Sequence, residues 1–152
     1  MRLQAESGNT FALVIVGYEY PDITEDWWDS NWLVISGNVS TAKNSWRFVH
    51  PCVTTFELAN LADWLDKLGA EGETFSQYAF TEPNLEFTFL AKPSPVLRVR
   101  FAHESAPPWL KQHEERLNGM TLDFPLSHTK AHEAAADLRN ALVDYPVRGG
   151  AA

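Results

Sequence analysis

Apolar positions in the first part of the chain come in short runs separated by turn-forming residues. Phe11, Leu13 and Ile15 interleave with Ala12, Val14 and Val16, so Phe11 to Tyr20 is apolar on both faces and predicts a strand that lies centrally or is covered on each side. Met1 to Ala5 is expected to pair with it as an edge strand across the turn residues Glu6-Ser-Gly-Asn9. Trp32 to Val39 repeats the pattern through Leu33, Val34 and Ile35. Trp46, Phe48 and His50 alternate with Ser45, Arg47 and Val49, which predicts a half-buried strand ending at Pro51.

Periodicity then changes. Thr54-Thr-Phe-Glu57 has capping-box spacing, in which hydroxyl and carboxylate satisfy free amide donors at a helix start. Leu58, Leu61, Ala62, Leu65 and Leu68 follow at helical intervals, with Asn60, Asp63, Asp66 and Lys67 opposite, and Gly69 is placed to close the helix in a left-handed cap. Ser76 to Thr81, Leu85 to Leu90 and Val96 to Ala102 read as antiparallel strands. Setting Leu85, Phe87 and Phe89 beside Leu97, Val99 and Phe101 places Glu86 and Thr88 on the same face as Arg98 and Arg100, which makes these arginines surface charge partners. Ala106-Pro-Pro-Trp-Leu110 interrupts the pattern before a short helix at Lys111 to Leu117 and a strand at Met120 to Phe124. A last helix, Ser127 to Asp144, carries an alanine-rich stripe and stops before Pro146. Arg148 to Ala152 is expected to fray.

These elements predict a single α+β domain spanning residues 1–152, mostly antiparallel β-sheet with two helices packed on one face. Between the second and third strands lies the most unusual stretch of the chain. Pro21 lacks a ladder donor, and Asp22, Thr24, Asp26, Asp29, Ser30 and Asn31 form loops by capturing local backbone groups; among them stand Glu25, Trp27 and Trp28. Three roles fit the residue types. The aspartates could hold a divalent metal, although the spacing lacks the alternation and turn glycine of a calcium loop. The tryptophans could fold inward as plain core. Exposed indoles ringed by Asp22, Glu25, Asp26 and Asp29 could instead dock a basic partner. Two adjacent tryptophans do not easily both point inward, so the third role is preferred, with no metal and no cofactor.

Composition narrows the class. Twelve Lys and Arg against twenty Asp and Glu leave a net charge of −8, which argues against nucleic acid and anionic membrane as partners. No apolar run approaches membrane-spanning length and Met1 to Asn9 lacks the layout of a secretory signal, so a cytoplasmic location is expected. The lone Cys52 allows no internal disulfide and reads as a small buried hydrophobe. His128 and His132 stand one helical turn apart but lack a third ligand and a general base, and read as surface histidines. Glu82, Glu104 and Trp109 could rim a cleft for a small ligand or a peptide, which is the alternative reading. No nucleophile elbow, phosphate-binding glycine loop, C-x-x-C pair or dinucleotide fingerprint is present, and no catalytic residue is assigned.

Several phrases share an order and spacing that carry a family likeness: Gly17-Tyr-Glu-Tyr-Pro21, Asp29-Ser-Asn-Trp-Leu33, Pro51-Cys-Val-Thr-Thr-Phe-Glu-Leu58, Trp64-Leu65, Phe80-Thr-Glu-Pro-Asn-Leu85, Pro108-Trp109 and Tyr145-Pro-Val-Arg148. Across nearly the whole chain they resemble the WapI family of bacterial immunity proteins. The resemblance implies a small non-enzymatic protein of bacterial competition, monomer or homodimer, that binds the C-terminal domain of a cognate secreted polymorphic toxin. Several such toxins are nucleases with basic clefts, which an acidic inhibitor suits.

Overall fold

Hydrogen-bonded pairing divides the strands between two antiparallel sheets. The computed structural model describes residues 1–150. In chain order the elements are β1 (Arg2–Gln4), β2 (Thr10–Tyr18), β3 (Trp32–Ser40), β4 (Ser45–Thr54), α1 (Thr55–Lys67), β5 (Phe75–Ala79), β6 (Leu85–Leu90), β7 (Val96–Phe101), α2 (His113–Asn118), β8 (Met120–Pro125) and α3 (His128–Leu142). One sheet has the order β1-β2-β3-β4 and the other β5-β6-β7-β8. The α+β class is as the sequence implies. What periodicity did not convey is the division into two sheets, which falls where α1 and its following turn carry the chain from β4 to β5.

The inner faces of both sheets and the apolar sides of α1 and α3 share one buried core. Phe101 joins the sheets: the ring of Phe11 meets it edge-on at 4.9 Å and that of Trp46 at 5.5 Å. Phe48 lies across Gly37, its cross-strand neighbour, and a β-carbon at Gly37 would collide with the ring. Glycine is required there for close approach. Helix α1 starts with the expected capping box between Thr54 and Glu57, and Gly69 beyond its end has a φ of +77°. The alanine stripe of α3 buries Ala131, Ala134, Ala135 and Leu138 and lets it lie close against α1. The polar flanks are tied by Arg139 to Asp63 at 2.8 Å and Asp66 at 2.6 Å, and by His132 Nδ1 to Asp66 at 2.6 Å.

In the second sheet Glu86 sits opposite Arg100 and Thr88 opposite Arg98. Arg100 pairs with Glu86 at 3.5 Å, whereas the Arg98 guanidinium donates to both carboxylate oxygens of Asp123 on β8, at 2.7 and 2.9 Å. A short helix appears near its expected place, and its Arg116 donates to the carbonyls of His103, Ala106, Pro107 and Leu110. One guanidinium thus fixes the Pro-Pro-Trp segment, including His103 at a φ of +52°.

Strand β2 is central between β1 and β3, one of its two expected placements, and its outer face is uncovered: Val14 and Val16 are each 54% exposed. Two expectations need correction. Strand β4 continues past Pro51 to Thr54, because it is an edge strand and a proline facing the open side costs no ladder bond. Finally, Arg148 and Gly149 do not fray; they pack against the acidic loop, as described below, while Ala151 and Ala152 lie outside the described residues. No helix among the described residues is long and apolar enough to cross a membrane.

Candidate functional site

The loop from Glu19 to Asn31 is shaped by two side chains whose hydrogen bonds are directed inward. Asp26 accepts the backbone N–H of Trp28 at 2.8 Å and of Asp29 at 2.6 Å on its Oδ1. Its own carbonyl receives the amide and hydroxyl of Ser30. This is an Asx-type cap, and it forces the 3-10 turn Asp29–Asn31 that ends the loop.

Asn31 is fully buried at the end of that turn. Its amide nitrogen donates to the carbonyls of Trp27 at 2.7 Å and Arg148 at 2.8 Å. Its amide oxygen accepts from Thr55 Oγ1 at 2.8 Å and from the Arg148 N–H at 2.9 Å. One side chain therefore joins the loop, the start of α1 and the C-terminal segment, and every polar atom it buries is paired.

Arg148 completes the framework. Its guanidinium lies 3.4 Å from the centre of the Tyr18 ring and donates to the carbonyls of Pro21 at 3.0 Å and Ile23 at 3.4 Å. Tyr18 in turn donates to the Pro146 carbonyl at 2.5 Å, and burial raises its phenol above the ordinary value, offset in part by Arg148. Gly149, at a φ of +60°, packs on the backbone of Glu25 and Asp26 too closely for a β-carbon.

On this framework Trp27 and Trp28 remain 51% and 44% exposed. Trp27 stacks on Phe56 with centroids 5.6 Å apart and planes 5° from parallel. Trp28 leans on the same ring at 5.8 Å and meets the buried Trp32 edge-on at 5.6 Å. Phe56 is the aromatic that sequence reasoning missed. Its signal was an aromatic in the first turn of α1, off the leucine stripe.

Asp22, Glu25 and Asp29 are exposed and form no salt bridge among the described residues. The phenol of Tyr20 is raised above its ordinary value by the neighbouring Glu19 carboxylate foremost, then by desolvation, with Asp29 contributing least. Of the six residues assigned to the loop, five present indole or carboxylate to solvent. Asp26, also exposed, spends one carboxylate oxygen on the loop itself.

Glu82 lies in the β5–β6 connection, and Glu104 and Trp109 lie in the segment that follows β7. Glu104 accepts from Asn84 at 2.8 Å and lies 3.6 Å from His50 Nε2; the Asn84 bond foremost holds its carboxyl below the usual range. Trp109 packs edge-on against Trp46 at 5.3 Å, whose indole N–H donates to the carbonyl of Ser105, next to Glu104, at 3.0 Å. Glu82 and Glu104 instead bear on Cys52, whose buried thiol is pushed up to about 12, by desolvation first and then by these carboxylates and Glu57. A concavity of about 620 Å3 opens elsewhere, between the β1–β2 turn and Asp123, Pro125 and Lys130. Among the described residues no group of three His, Cys, Asp or Glu is placed to hold a metal ion.

Fold and site together define a small α+β protein that presents an ordered, acidic and aromatic surface. The chain belongs to the immunity protein WapI-like family, whose model matches residues 2–146. Immunity proteins neutralise toxins through a protein partner and are generally not enzymes. Comparison with curated proteins and with solved structures gives no match.

Proposed function

We propose that this protein neutralises the C-terminal domain of a cognate secreted toxin by direct binding, with Trp27, Trp28 and Phe56 as anchors and Asp22, Glu25 and Asp29 as the charged rim. The observation that carries the reading is the half-exposed indole pair, held on Phe56 by a hydrogen-bonded framework. Indoles left in solvent are costly unless something covers them, and a preformed surface loses little entropy on binding. Carboxylates without internal partners attract Lys and Arg of a basic domain and raise its rate of encounter. A nuclease domain, whose cleft is basic because its substrate is polyanionic, fits this surface.

The test is association with the toxin domain encoded beside this protein, measured by biolayer interferometry at low and high salt. Asp22, Glu25 and Asp29 changed together to Lys should slow association at least tenfold at low salt and far less at high salt. Trp27→Ala should accelerate dissociation by roughly 30-fold, the effect of losing an anchor of about 2 kcal/mol. Unaltered kinetics in both variants would remove the loop from the interface.

A further inference from the structure

The outer face of the first sheet is uncovered and carries its charge at its two ends. Inward of a polar border row of Gln4, Thr10, Ser40 and Ser45, cross-strand register arranges it in four rows. The first contains Arg2, Ala12, Asn38 and Arg47, and the second Val14, Ser36 and Val49. The third contains Gly17, Val34 and Pro51, with Val16 at the bulge beside them. Just past the end of β2 stands Glu19, whose N–H donates to the carbonyl of Trp32, the indole that meets Trp28 edge-on, and the acidic loop follows. Val14, Val16 and Val49 are each about half exposed. Arg47 folds over the sheet to reach Ser36 Oγ at 3.1 Å, and Arg2 pairs with no carboxylate among the described residues.

An antiparallel sheet tolerates one wet face when that face is polar. Here the middle of the face is valine. The sequence of rows, cationic, apolar, apolar, anionic, is complementary to its own reverse. Turned through a two-fold axis between the second and third rows, a second copy sets its Glu19 over Arg2 and Arg47 and its Val16, Val34 and Pro51 over Val14 and Val49. Isologous contacts require this kind of self-complementarity, and sheets stack face to face about 10 Å apart.

We infer that the outer face of the β1–β4 sheet is a two-fold dimer interface in which Val14, Val16 and Val49 form the dry centre and Arg47 meets Glu19 of the other copy. The exposed face measures only about 300–400 Å2 by strand spacing and rise, well below the area of tight obligate dimers. Association is therefore expected at micromolar to submillimolar concentration. The inference does not depend on the toxin-binding reading.

Sedimentation equilibrium of the full chain, from a few micromolar to roughly 0.5 mM, tests it. A reversible monomer–dimer equilibrium is expected, weakened at least tenfold by Val14→Glu with Val49→Glu, whose circular dichroism and thermal midpoint should stay near those of the parent because both positions are exposed. Arg47→Glu and Glu19→Arg should each weaken the dimer, and the two together should restore it, since the swapped charges meet again across the axis. A chain that remains monomeric throughout overturns the inference. So does a dimer indifferent to the valine changes, or single charge reversals that the double variant does not rescue. Toxin binding can be measured on the valine variant separately, and its loss would place the toxin, rather than a second copy, on this face.

Discussion

The side-chain amide of Asn31 pairs with the backbone of Arg148 through two hydrogen bonds, N–H to carbonyl at 2.8 Å and carbonyl to N–H at 2.9 Å, as one strand residue pairs with another. The same amide holds Trp27 and Thr55. Loop geometry is thereby written partly in residues far away along the chain.

Replacing Asn31 with Ala leaves the Thr55 hydroxyl and the Arg148 amide without their buried partner. A loss of about 3 kcal/mol is expected, because each unsatisfied buried group costs roughly 1–3 kcal/mol. Urea denaturation measures it. Truncation before Pro146 should act differently: the two sheets persist, while hydrogen exchange accelerates at the amides of Trp28 and Asp29, which the Asp26 carboxylate now protects. Equal protection with and without the segment would show that the loop holds its shape alone.

Asp26 distinguishes structure from contact. Asp26→Asn keeps an acceptor for the Trp28 and Asp29 amides, so stability should stay within about 0.5 kcal/mol of the parent, whereas Asp26→Ala should cost about 1 kcal/mol, as for a lost cap. Thermal unfolding of the two variants gives the comparison. Toxin association by the asparagine variant should fall less than for reversal of Asp29, whose carboxylate is free.

The α1–α3 contact has an acid-sensitive component. Bonds from His132 foremost and then Arg139 hold the Asp66 carboxyl below its ordinary value of 3.8. A depressed carboxylate stabilises the fold above its unfolded pKa and loses that contribution as pH falls through the folded one. The stability advantage over Asp66→Asn, expected near 0.5 kcal/mol for so exposed a pair, should be constant near neutrality. It should begin to shrink as pH drops to about 4, near the unfolded carboxylate value, and vanish below the folded pKa. Chemical denaturation at pH 6, 4 and 2.5 follows the sign.

Cys52 is buried, with its thiol raised to about 12. Iodoacetamide at pH 8 should leave it unmodified in the folded protein for hours and alkylate it within minutes in urea, by mass spectrometry, since only the thiolate reacts. Rapid labelling without denaturant would contradict its burial.

What the sequence disclosed and what it concealed follow from the range of the interactions. The capping box at Thr54 and Glu57 was legible because both partners sit within one helical turn. Arg100 and Glu86 were placed on one face by alternation alone, yet the choice of Asp123 as partner for Arg98 depended on β8, whose position no periodicity reveals. Apolar residues on both faces of β2 placed it centrally or under cover on each side; it is central, and Val14 and Val16 stand in the open. The exposed indoles at 27 and 28 were anticipated, but Phe56 beneath them and Arg148 behind them come from other parts of the chain. Composition draws attention to the loop without saying what supports it.

Synthesis proceeds from the N-terminus, so Trp27 and Trp28 are made long before the residue that secures their loop. The Asn31–Arg148 pair spans 117 positions. A ribosome must therefore translate nearly all of the described chain before its early indoles acquire their final pose. Chains cut short of residue 148 would carry Trp27 and Trp28 without the backbone that pairs with Asn31.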